Sequence, residues 1–172
     1  MGNFLAHLMR RALTGEVPLA FRGALAFGRF GMTDRFLIGE AVDEAATYHE
    51  RADGAIVGLA PSAATFEQAE VPSSVSKFVK YSIPAKRRGG GVGEPWNTWA
   101  VLPWGEIEDA HIDLVDLFSR TLVTDDPALT EEVGRKRENT LTYLRFAGEA
   151  AEAPMRAMLQ RMASLAPEVP RR

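Results

Sequence analysis

Three acids open the most chemically suggestive stretch of this chain: Glu40, Asp43 and Glu44. At helical spacing Glu40 meets Asp43 or Glu44 on one face, the arrangement by which a helix offers carboxylates to a divalent cation. Acids in a first helical turn also simply favour the macrodipole, and that competing explanation needs no ligand. His49 follows, with Glu50 beside it; together they have the composition of a general base, although a lone His in an Ala-rich segment usually packs. Ser62 follows Pro61 with no G-x-S-x-G elbow around it, so nothing supports a hydrolase nucleophile. Gly89–Gly93 (GGGVG) is glycine-rich, but it lacks the phosphate-loop pattern and does not run into a helix. Lys86-Arg87-Arg88 suits either phosphates or water. Trp96, Trp99 and Trp104 suit either base stacking or a core, and His7 and His111 have no partner signal.

Composition removes several function classes. There are 20 basic and 23 acidic residues, a net charge of −3, so no electrostatic case exists for nucleic acid or an anionic membrane as partner. Cysteine is absent, which excludes disulfides, thiolate catalysis and Cys-ligated zinc, and fits a reducing, cytoplasmic compartment. No apolar run approaches the roughly 20 residues of a membrane span. With 46% hydrophobic and 25% charged residues over 172 positions, one domain with a real core is expected.

The elements that would position these residues follow from periodicity. Residues 3–14 predict an amphipathic helix with Phe4, Leu5, Leu8 and Leu13 inward, stopped by Gly15. Residues 19–27 predict a strand that is apolar on both faces, hence a central one covered on both sides. Residues 28–34 (GRFGMTD) read as a turn and 36–38 as a short strand. Gly39 then leads into a helix over 40–52, whose stripe of Ala41, Ala45, Tyr48 and Ala52 is small enough to lie close to a sheet. A strand at 55–60, a short helix from Pro61, a loop at 71–76, and a hairpin of 77–84 with 96–104 complete the first part. Helices over 112–123, 127–149 and 155–165 follow, the last two separated by Pro154, and 166–172 reads as a frayed, disordered tail.

At this point a family resemblance enters. Arg22–Gly28 (RGALAFG), then a turn, Gly39, and a helix carrying Val42-Asp43-Glu44-Ala45-Ala46-Thr47, resembles the strand–turn–helix of class III nucleotidyl cyclase catalytic domains. Phe78–Lys86, Trp96–Trp104 and Lys136–Thr140 are similar to motifs that follow in a bacterial branch of that family. The resemblance covers roughly residues 1–146. It implies an α+β fold, with a ferredoxin-like cyclase-type sheet carrying helices on one face. That sheet would occupy 1–110 and lack its first strand or strands, with a C-terminal helical extension over 111–165 on the same domain. It also implies a homodimer or a cyclase-type partner chain, because such sites form between two subunits.

The departures from the family pattern set the functional expectation. The resemblance places a transition-state Asn at Asp43, a transition-state Arg at Thr47 and a base-selecting acid at Phe36; all three are substituted, and only Gly39 is kept. An Arg there stabilises charge developing on a phosphate, and a carboxylate nearby repels it. The upstream acids that would hold two metal ions have no counterpart, so Mg²⁺ or Mn²⁺ enters only if another segment or chain supplies them. The expected function is therefore a catalytically incomplete cyclase-like protein, either a dimerising or regulatory module or a truncated product, with a nucleotide as its candidate ligand. The alternatives are a cyclase or half-site subunit that forms a cyclic nucleotide and pyrophosphate, and a small-ligand module using a cleft between Gly39 and the Lys80 strand.

Overall fold

The computed structural model describes residues 2–16, 19–67, 77–87, 91–103, 114–120 and 126–165. The expected loop at 71–76, Arg88, Trp104, His111 and the tail at 166–172 lie outside the described residues. Along the chain come α1 (Gly2–Leu13), β1 (Gly23–Leu25), β2 (Gly31–Met32), β3 (Leu37–Ile38), α2 (Glu40–His49), β4 (Val57–Leu59), α3 (Pro61–Glu67), β5 (Phe78–Ile83), β6 (Trp96–Val101), α4 (Leu114–Ser119) and α5 (Pro127–Leu165). The class is α+β: a mixed four-stranded sheet in the order β1-β4-β6-β5 with helices packed on it, and a separate β2–β3 hairpin. β1 and β4 are parallel and joined through α2, while β6 runs antiparallel to both β4 and β5.

Alternation along the strands decides what each face can hold. Ala24, Gly58 and Ala100 are in register across three strands, so one face carries a row of very small residues. Large side chains fill the space that this row leaves. A Cβ built on Gly58 would lie 2.7 Å from both the Ile83 Cδ1 and the Trp96 ring. Over them pack Tyr143 and Ala147 of α5, and Tyr48 of α2 meets Trp96 at a ring separation of 5.1 Å. The opposite face, with Val57 and Val101, is covered by Ala6 and Met9 of α1. Helices therefore lie on both faces, where the resemblance implied one. Leu13, Leu114, Phe118, Leu141 and Leu144 join α1, α4 and α5 at the end of the sheet.

Four details differ from the sequence reading. β1 is an edge strand, not a central one: among the described residues it pairs only with β4. Apolar composition on both faces does report cover above and below, but it is silent about backbone edges. In α1 the buried positions are Ala6, Met9 and Leu13, while Phe4 and Leu8 are exposed; Ala6 and Met9 are the pair that packs on Val57 and Val101. Residues 28–38, read as a turn and a short strand, form a tight hairpin with Met32 opposite Leu37. Finally, α5 continues through Pro154 for 39 residues. The ring costs one rung of the helical ladder, the one that Ala150 would accept, without ending the helix.

Tyr143 is fully buried, and its hydroxyl donates to the Val101 carbonyl. Loss of hydration, then the neighbouring Tyr81, pushes this phenol well above its ordinary value of 10.0. The folded-state value is raised, so its contribution to stability is intact below about pH 10 and is lost as pH rises, when only the unfolded chain releases the proton. Urea unfolding between pH 8 and pH 11 (roughly the window set by the phenol) is expected to show stability falling above about pH 10. The fall should be shallower in Tyr143→Phe; equal slopes would contradict this. Gly58→Ala should destabilise by about 1–3 kcal/mol through overpacking, with an altered Trp96 fluorescence signal as the local reporter.

Candidate functional site

The residues singled out by type and spacing are placed by α2 and its surroundings. Gly39 precedes α2 with φ +140°, a conformation L side chains rarely adopt, and a Cβ there would lie 2.6 Å from the Arg29 carbonyl oxygen. Glycine is thus required twice over, by the turn and by the hairpin backbone folded against it. Its carbonyl accepts from the Val42 and Asp43 amides at 2.9 and 3.0 Å, which starts the helix.

Asp43 and Thr47 sit one turn apart on the exposed side of α2. The Thr47 hydroxyl donates to the Asp43 carbonyl at 2.8 Å, a bond internal to the helix. Phe36 is exposed in the hairpin turn, where its amide donates to Thr33 Oγ1 at 3.2 Å. So Phe36, where the resemblance would place a base-selecting acid, carries a phenyl ring in water, and Thr47, where it would place an Arg, carries a hydroxyl bonded to its own backbone. Neither presents a positive charge or a directed donor to a ligand.

The acidic trio does not act as a trio. Glu44 turns toward α3, where it accepts hydrogen bonds from the Ser62 amide at 3.2 Å and from the Ser62 hydroxyl. Ser62 Oγ in turn accepts from the Phe27 amide at 2.8 Å. This relay ties the end of β1, α2 and α3 together, which gives Ser62 and Glu44 a structural use. Among the described residues, no group of three or more His, Asp or Glu side chains converges as a metal site requires. The donor set at the resembling positions therefore does not fit a divalent cation. His49 is half-exposed, and its Nδ1 lies 2.6 Å from the Ala46 carbonyl, the distance of an N–H donated back to the helix.

Open grooves lie on the described surface. One, about 530 Å³, runs beside β1 and is lined by Gly23 and Ala24, by Phe30 and Leu37 of the hairpin, and by Ala41, Val42, Ala45, Ala46 and His49 of α2. It is almost wholly apolar. Another, about 400 Å³, lies over Lys80, Ser82, Asn97 and Trp99, with Ala64 at its rim. There the Lys80 ammonium stands 5.2 Å from the Trp99 ring centroid, a cation–π contact that occupies both groups. Neither groove joins Gly39 to Lys80.

The Arg135–Thr140 stretch fastens the turn at Asp53, a role that its sequence alone did not show. The Asp53 side chain is buried, and its Oδ2 accepts from Arg135 Nε at 2.6 Å and from Asn139 Nδ2 at 3.3 Å. Asn139 also donates to the Asp53 carbonyl at 2.6 Å, and Thr140 Oγ1 accepts from the Ala55 amide at 2.8 Å. Gly54 leaves room for this approach, since a Cβ on it would lie 3.1 Å from Thr140 Oγ1. Asp53-Gly54 has the composition of a turn; its attachment to a helix more than 80 residues later has no local signal. Asp53 also raises the affinity of the Arg135 guanidinium for its proton, through the hydrogen bond first and the charge second.

Comparison of the chain with protein-family models, with curated proteins and with solved structures yields no significant match. No helix among the described residues is long and apolar enough to cross a membrane.

Asn139→Ala would leave the buried Asp53 carbonyl without that donor. A loss of about 1–3 kcal/mol in urea unfolding is expected, with unchanged far-ultraviolet circular dichroism. An unchanged unfolding midpoint would show that the contact to Asp53 carries no stability.

Proposed function

We propose that this chain is a catalytically incomplete, nucleotidyl-cyclase-like module that works by self-association. The observation that carries the reading is the surface between Phe21 and Ile38. Phe21, Phe30, Met32, Phe36, Leu37 and Ile38 are all exposed, by between 40% (Phe21) and 75% (Met32). Their accessible areas sum to the order of 800 Å², spread over both faces of the hairpin, since Met32 and Leu37 share one face and Ile38 the other. A solvent-facing surface of this kind lowers its free energy by being covered.

The catalytic half of the reading rests on what stands at the resembling positions. In-line displacement on a nucleoside triphosphate needs charge stabilisation at the phosphates and a base-reading group. Asp43 adds negative charge where positive charge would help, Thr47 spends its hydroxyl on its own helix, and Phe36 has no hydrogen-bonding side chain. Glu44 is already bonded to Ser62. What remains of a cyclase-like design is the framework: a strand, a hairpin, a glycine with positive φ and an Ala-rich helix.

Incubation of the purified chain with ATP or GTP and Mn²⁺, followed by chromatography for cyclic nucleotide and pyrophosphate, tests this directly. No product above the protein-free control is expected. Sustained turnover by this chain alone would overturn the reading and favour the enzyme.

A further inference from the structure

Resting on that reading of self-association, we infer that two copies of this chain join through the free edges of β1, strand against strand, and that each hairpin covers the other copy's apolar groove. The first argument is the backbone of β1. The Gly23 amide donates to the Ile56 carbonyl at 3.2 Å, and the Leu25 carbonyl accepts from the Ala60 amide at 2.7 Å, so both residues face β4. In a parallel ladder alternate residues bond to alternate sides. Ala24, between them, therefore turns its N–H and C=O away from β4, toward the side where the described sheet has no neighbour. An open row of this kind is a template for a further strand.

The second argument is α2. A helix connecting two parallel strands normally buries its small-residue stripe on the sheet. Here α2 contacts β1 and β3 but has no buried residue. Its Ala41, Ala45 and Ala46 instead line the groove beside β1. The helix thus overhangs the strand edge and roofs a space that the chain's described residues do not fill. The third is the hairpin: all four residues of β2 and β3 are exposed, although a two-stranded hairpin is marginal in water unless something packs on it.

The occupant is a second copy because the surface is complementary to itself. Antiparallel pairing of two β1 strands about a two-fold axis offers each Ala24 the same pair of groups that it presents. It joins two four-stranded sheets into one. The apolar side chains named above expose on the order of 800 Å² in total over both faces of the hairpin, against the roughly 800 Å² that one partner contributes to a standard protein–protein interface. With only −3 charge per chain, repulsion between copies is small.

Sedimentation velocity on the native chain, beside two variants, decides the matter. Ala24→Pro deletes only an outward-facing N–H, and proline is tolerated at such edge positions; the double variant Phe36→Lys, Ile38→Lys puts charge on exposed hairpin positions. The native chain, 18.8 kDa per copy, is expected to sediment as a dimer, and both variants as monomers with native circular dichroism. Should Ala24→Pro fail to fold, the hairpin variant decides alone. A folded, monomeric native chain overturns both this inference and the self-association on which it rests. A dimer that survives in a folded variant overturns the β1-edge interface and leaves self-association standing.

Discussion

The fold depends on the absence of side chains at one place. Gly58, flanked in register by Ala24 and Ala100, leaves a shallow trough across three strands. Trp96 and Ile83 fill it, and Tyr143 and Ala147 of α5 close over them. Any Cβ at residue 58 would displace the largest ring in the core. Because the trough is shallow on this face, bulk is free to accumulate on the helices. Tyr81 of β5 accordingly meets two rings of α5, Tyr143 at 4.9 Å and Phe146 at 5.0 Å, while Tyr48 of α2 meets Trp96 at 5.1 Å. The parallel β1–β4 pair, the antiparallel β4–β6 pair and the long helix are all arranged around that one contact.

A second constraint ties the distant ends of the sequence together. Asp53 is an acid that the fold buries, and burial of a carboxylate is tolerable only with donors supplied. Arg135 and Asn139 supply them from α5, and Thr140 holds the next amide but one. The loop between α2 and β4 is therefore held by side chains of a helix that follows both. The Glu44–Ser62–Phe27 relay does the same at the other end of the βαβ unit. Polar residues that looked like reaction chemistry, or like solvent-facing charge, are for the most part the fastenings of loops.

Much of this was legible in the sequence, for identifiable reasons. The strands 78–83 and 96–101 follow from alternation, and α2 and α3 from apolar spacing with Gly39 and Pro61 at their starts. The acids after Gly39 were read as first-turn acids in preference to metal ligands, and Glu40 and Asp43 are exposed there. What was not legible depends on long-range geometry. Side-chain alternation at 19–27 cannot say whether a backbone edge has a neighbour. The β2–β3 hairpin is too short to show a period, although Thr33-Asp34-Arg35 between two apolar pairs was an available signal. The partner of Asp53 lies 82 residues away in Arg135, beyond the reach of any local pattern. At the resembling positions, the residue types were readable, but the inward turn of Glu44 and the self-bonded Thr47 needed coordinates.

The 39 residues of α5 make a rod of about 58 Å, and its two parts are mechanically unlike. Up to Ala150 the helix is fastened to the sheet by Asp53, by the Tyr143 hydroxyl and by the ring contacts with Tyr81. Beyond it, every side chain described is exposed. Pro154 removes the rung between Ala150 and residue 154 at the boundary between the two. Bending compliance is thus concentrated where the fastenings stop.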